Sequence, residues 1–249
     1  MPLRASYIIA PLVLLASFWF HEHYPQYLWY ITIIGAFILL LIVRSIWRKQ
    51  FVAHWRTHLS AMVLYLSSVA QFYLFEDTGL RWLYAITLTV IWLWLVISMQ
   101  TYVGRVREYS SRQLLQINQA TSLLTVWQSA SFAYFAVGQL HLSLWFMAAL
   151  LMAAIWAVTI DIVHLHQIRK SQPSMILLAC VATCLQLFFA IYLLPLHLYI
   201  QSSLLTLWYF FIIELTIEGQ EVQSRRKLFI SYLLFIAAAG IVLIAISLL

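Results

Sequence analysis

Apolar runs of roughly 20 residues recur along the whole chain, near residues 5–20, 27–46, 59–75, 82–102, 118–138, 142–163, 174–193, 200–217 and 229–248. A helix of about 20 residues spans the hydrocarbon core of a bilayer. Once nine such helices are counted, 249 residues leave room only for short connections. The expected fold is all-α: a polytopic transmembrane helical bundle of about nine spans. Residues 1–249 are expected to form a single transmembrane domain with no soluble domain. Composition agrees, with 64% apolar and 9% charged residues, against roughly 45–50% and about 25% in soluble proteins. A water-soluble protein, a disordered chain and a nucleic-acid-binding domain are excluded, despite the net charge of +6.

The charge is one-sided. Of the 14 Lys and Arg residues, all but Arg81 precede the first run or fall in alternate connections: 44–58, 103–117, 164–173 and 218–227. The intervening connections, 21–26, 76–81, 139–141 and 195–199, hold only Arg81. Basic residues stay on the cytoplasmic side of a membrane. The N-terminus is therefore expected inside and the C-terminus outside, in a cytoplasmic membrane. Arg4 and the short first run resemble a signal peptide. The run ends in Phe18-Trp19-Phe20-His21 with no small-x-small site, so residues 1–20 read as an uncleaved anchor. Cleavage there would leave the orientation of the other eight runs unchanged.

With 6 Gly and 5 Pro in the chain, the helices are expected to be long and nearly straight, unlike those of broken-helix carriers. Close helix contact needs small residues four apart. Ala149, Ala153 and Ala157 supply such a row, and the next step is Asp161, which places the acid toward protein. Ala237 to Gly240 form a second small patch. The fifth run carries Asn118, Thr121, Ser122, Thr125 and Gln128, a polar stripe that fits a central helix. The third run adds Ser60, Ser67 and Gln71. Trp92, Trp127 and Trp156 lie nearer mid-span and read as bulky packing, with a lipid or cofactor cavity as the alternative.

An acid inside a span is costly on insertion scales and marks a candidate site. Asp161 and Glu214 are the two candidates, each about a turn from the basic end of its run. His164 shares a face with Asp161, and Glu218 shares one with Glu214. If the sixth and eighth runs are neighbours, these four residues form an ion or proton site. The competing expectation is that the acids pair with nearby arginines and only orient helix ends.

His54 and His58 are four apart, and with His164 and His166 they could hold a divalent metal or haem. Histidine is also at home in the membrane interface, and no cofactor is otherwise expected. Arg44, Arg48, Lys49, Arg56, Arg105 and Arg107 could hold anionic lipid headgroups at about 1 kcal/mol each, or could act only in setting topology. Cys180 and Cys184, one turn apart, read as small apolar side chains.

Several enzyme classes lack their residues. The chain has no H-E-x-x-H, no G-x-S-x-G, no phosphate-cradling glycine loop and no paired Asp-rich motif. The leading expectation is a non-enzymatic lipid- or partner-binding membrane component, or a small carrier, with membrane lipids and other membrane proteins as partners. The alternatives are an ion- or proton-coupled transporter using Asp161 and Glu214, and a haem- or metal-binding oxidoreductase using the histidines.

Overall fold

The structure is a computed structural model that describes residues 6–46, 55–104, 107–165 and 173–218. Among the described residues every regular element is helical. The helices are α1 (Ser6–His23), α2 (Leu28–Ile46), α3 (Trp55–Leu74), α4 (Thr78–Gly104), α5 (Arg107–Gly138), α6 (Leu144–Leu165), α7 (Pro173–Tyr192) and α8 (Leu198–Glu218), with a short 3₁₀ turn at Pro25–Tyr27. Each coincides with one of the expected runs. The ninth run, 229–248, and the small patch at Ala237 to Gly240 lie outside the described residues.

Four helical segments are long and apolar enough to cross a membrane: Pro25–Ile46, Thr78–Tyr102, Leu144–His164 and Leu198–Leu215. α3 and α5 are not among them, because both carry many polar residues. Those residues are buried: Thr57, Ser60, Ser67 and Gln71 on α3, and Asn118, Thr121, Thr125 and Gln128 on α5. Several α3 hydroxyls return their hydrogen to their own helix, as Ser60 does to the Thr57 carbonyl at 3.2 Å and Ser67 to that of Leu64 at 3.0 Å. This is how a helix carries serine through an apolar interior.

Three helices start four or more residues before their expected runs: α3 at Trp55, α4 at Thr78 and α5 at Arg107. α5 begins at Arg107, where a connection was expected up to residue 117. Hydropathy registers only apolar length, whereas Arg112, Gln113 and Gln116 are good helix formers despite their polarity. α4 begins at Thr78 because Asp77 caps it, its Oδ1 accepting the Leu80 N–H at 2.8 Å.

The chain divides into two compact units, Met1–Ser122 and Leu123–Leu249, with the boundary inside α5. In the first unit α1 packs on α2 and α4, while α3 packs on α2 and α4. α2 buries Thr32, Gly35, Leu39, Ile42 and Ile46, alternately three and four apart. Its opposite face exposes Trp29, Ile33, Phe37 and Leu41. An apolar stripe of that kind is suited to hydrocarbon rather than water.

In the second unit α7 packs on both α6 and α8. Cys180, Cys184 and Phe188 of α7 enter one core with Val126, Ile155 and Tyr209. Tyr134 of α5 stacks on Phe188 at 4.8 Å and donates its hydroxyl to the Phe188 carbonyl at 3.4 Å.

The alanine row on α6 is corrected in part. Ala157 and Asp161 are buried as expected, but Ala149 and Ala153 are exposed. A step of four residues overshoots a 3.6-residue turn by about 40°. Over three steps the row therefore winds from the outer to the inner surface. The buried face instead follows Ala148, Met152, Ile155, Thr159 and Ile162.

Candidate functional site

Each unit contains a polar cluster, and Asp161 lies on α6 in the second unit. Its side chain is 0% exposed. Two residues earlier on α6, Thr159 donates to the Ile155 carbonyl at 2.6 Å. The Thr159 hydroxyl also lies 3.4 Å from Tyr209 Oη of α8 and 3.9 Å from Cys180 Sγ of α7. The sixth and eighth helices thus meet through the Thr159 and Tyr209 side chains. His164, one turn past Asp161 on α6, is half-buried. Glu214 is half-buried too, five residues past Tyr209, which turns it about 140° around α8. The side chain of Glu218 lies outside the described set.

α5 joins α8 nearer the other end of this unit. Ser131 Oγ bonds Ser202 Oγ at 2.9 Å, and Trp127 Nε1 donates to Ser203 Oγ at 3.2 Å. Gln201 closes the end of α7 by donating to the Ile191 and Leu194 carbonyls at 3.3 and 3.1 Å.

The cluster in the first unit was not expected. His21 and Glu22 at the end of α1 meet Thr32 of α2, Tyr65 and Tyr73 of α3, and Arg81 of α4. Ser17 Oγ and Tyr65 Oη bond at 2.7 Å. His21 Nδ1 lies 2.6 Å from the Ser17 carbonyl, and Nε2 lies 2.9 Å from Thr32 Oγ1. Tyr73 donates to the His21 carbonyl at 3.3 Å. Arg81 Nη1 sits 3.2 Å from Glu22 Oε2, its Nε donates to the Phe75 carbonyl at 2.6 Å, and its guanidinium lies over the Phe72 ring.

His21 lies beyond the end of the apolar run 5–20. Burial pushes its imidazole below the usual histidine range, and the bond to the Ser17 carbonyl opposes that shift. The sequence carries two signals for this cluster: Arg81 as the one basic residue in its set of connections, and Ser17 four residues before His21 on one helical face.

The histidine and arginine candidates are less assembled. His58 is buried on α3 in the first unit, and His164 lies on α6 in the second. His54 and His166 lie outside the described residues. Among the described residues no three His, Cys, Asp or Glu side chains form a group that could hold a metal ion. Arg44 is exposed at the last turn of α2. The Arg56 guanidinium lies 5.7 Å from the centre of the Trp55 ring. Arg48, Lys49 and Arg105 lie outside the described residues, and so does the side chain of Arg107. Cys180 and Cys184 are buried free thiols.

Compared with protein-family models, with curated proteins and with solved structures, the chain has no match in any of the three.

Proposed function

We propose that the chain crosses a cytoplasmic membrane nine times, N-terminus inside and C-terminus outside, and works as a small non-enzymatic carrier. Its transport step is coupled to a proton or cation bound at Asp161, with His164, Glu214 and Glu218 at the same helix ends. Membrane lipids surround it, and anionic headgroups sit on the basic cytoplasmic connections. The span count is supported by helices at eight of the nine runs, and the orientation by the sidedness of the basic residues.

The observation that carries the reading is the complete burial of Asp161 on α6. A carboxylate in an apolar bundle must be protonated, paired or bound to a cation. Such a group changes its charge state when its surroundings change, which is what coupling requires.

The test is linked stability. A ligand that binds only the folded chain at about 100 times its Kd adds about 2.7 kcal/mol, which is several degrees of Tm. The purified full chain is melted across pH and across Na⁺, K⁺ and Li⁺ concentrations, alongside Asp161→Asn. The readout is the difference between the two proteins, since every other ionisable group is common to both. Wild type is expected to respond by several degrees to pH or to one cation, in a way that Asp161→Asn does not. Identical responses in the two proteins, with the variant folded by circular dichroism, reject the assignment.

A further inference from the structure

His21 is 1% exposed, and both of its ring nitrogens are engaged. A carbonyl oxygen only accepts, so the 2.6 Å contact with Ser17 requires a hydrogen on Nδ1 in either charge state. On the other side, Thr32 Oγ1 lies 2.9 Å from His21 Nε2 and 2.8 Å from the Leu28 carbonyl. One hydroxyl hydrogen cannot serve both acceptors.

In the neutral state Thr32 donates to Nε2, and the Leu28 carbonyl keeps only its helical partner. In the protonated state Nε2–H donates to Oγ1, and the hydroxyl turns back to Leu28. Each arrangement leaves every ring N–H with an acceptor. The two differ by one proton on Nε2 and the rotation of one hydroxyl.

We propose that the Ser17–His21–Thr32 cluster is a proton-binding site that joins α1 to α2 in both charge states, the direction of the His21–Thr32 hydrogen bond reversing when the proton arrives. The site is independent of Asp161, and the inference stands on the first unit alone.

The charged and titratable neighbours permit this exchange. On α1 itself the nearest is Glu22, which is held by Arg81 of α4 at 3.2 Å. That pair presents both signs and little net charge. α3 contributes Tyr73, with ring centres 5.8 Å apart, and Tyr65, which reaches His21 only through Ser17. α2 contributes Thr32, which does not titrate. Nothing in this set fixes the imidazole in one state.

Because folding lowers the proton affinity of His21, the unfolded chain binds the proton more readily below about pH 6.5. The contribution of His21 to folding is therefore full above about pH 6.5 and declines as the pH falls through the folded value.

The experiment follows histidine ring resonances of the full chain in lipid nanodiscs, from about pH 8 downward. His21 is assigned by the loss of its signal in His21→Gln. If that variant does not fold, the signal displaced by Thr32→Val serves instead. A single protonation step is expected for His21, below the usual histidine range. Thr32→Val removes the acceptor for Nε2–H and is expected to move that step down by about one pH unit or more. Thr32→Ser keeps the hydroxyl and is expected to titrate as wild type. A His21 signal that stays constant until the protein unfolds overturns the proposal. So does a Thr32→Val variant that titrates as wild type does.

Discussion

Replacing Gly35 by alanine lowers the Tm of the purified chain, by the equivalent of about 1–3 kcal/mol of overpacking. A helix interior normally favours that change by up to about 1 kcal/mol, so the sign itself is diagnostic. A Cβ at position 35 would be driven into Tyr65 Oη, would lie 2.9 Å from Cζ of the same ring, and would meet Ser17 Oγ at 3.4 Å. Tyr65 is fully buried and tied to Ser17 at 2.7 Å, so it cannot swing aside without losing that bond. Interhelical bonds of this kind contribute about 0.6 kcal/mol, and up to about 1.7. Gly35 therefore lets the tyrosine of α3 cross α2 and reach α1, a three-helix junction built on one missing methyl group. In a Tyr65→Phe background the obstructing oxygen is gone and the hydrogen bond is already lost. The cost of Gly35→Ala should then be smaller than in wild type. Additive costs would mean that the junction does not set the packing.

Arg81→Met should destabilise the first unit by about 2 kcal/mol, less than the roughly 3–5 kcal/mol of stranding one member of a fully buried ion pair. The side chains of Arg81 and Glu22 keep 25% and 18% of their exposure, which holds the figure below the fully buried case. Glu22 loses its cation, and the Phe75 carbonyl loses the Nε–H donor at 2.6 Å. The double variant Glu22→Gln/Arg81→Met should recover part of the loss, because no charge is left unpaired. A single variant as stable as wild type, or a double variant worse than the sum, contradicts the assignment. Arg81 also breaks the charge rule of the sequence. Its structural employment explains why a lone cation is kept in a set of connections otherwise without Lys or Arg, and Arg81→Met should leave the topology unchanged.

Chain regions that differ from their surroundings only by local hydropathy are legible in the amino-acid sequence itself. The run 27–46 returns as α2 at Leu28–Ile46, and 142–163 as α6 at Leu144–Leu165. The polar stripe of the fifth run is buried, as expected for a helix away from lipid. The rest depends on angles and on distant partners. The Ala149–Ala153–Ala157 row looks continuous in the sequence, yet the 3.6-residue turn carries its first two members to the outer surface.

Asp161 stands out because an acid inside an apolar run is anomalous by itself. The contact of Thr159 with Tyr209, 50 positions later, depends on how α6 and α8 meet across α7. The cluster around His21 escapes sequence reasoning for the same cause. Ser17, Thr32 and Tyr65 are each ordinary alone, Arg81 stands out but names no partner, and only the packing of four helices brings them together.

Sidedness is the premise beneath the carrier reading, and labelling with a membrane-impermeant thiol reagent tests it most directly. Cys180 and Cys184 are buried and can be replaced by serine. Single cysteines are then introduced as Asp77→Cys, Gln139→Cys, Lys49→Cys and Lys170→Cys. In intact cells Asp77→Cys and Gln139→Cys should react, and the two lysine positions should react only after the membrane is opened. Reaction of Lys170→Cys from outside, or of Asp77→Cys and Gln139→Cys from opposite faces, would contradict the nine-span arrangement and the cytoplasmic placement of Asp161.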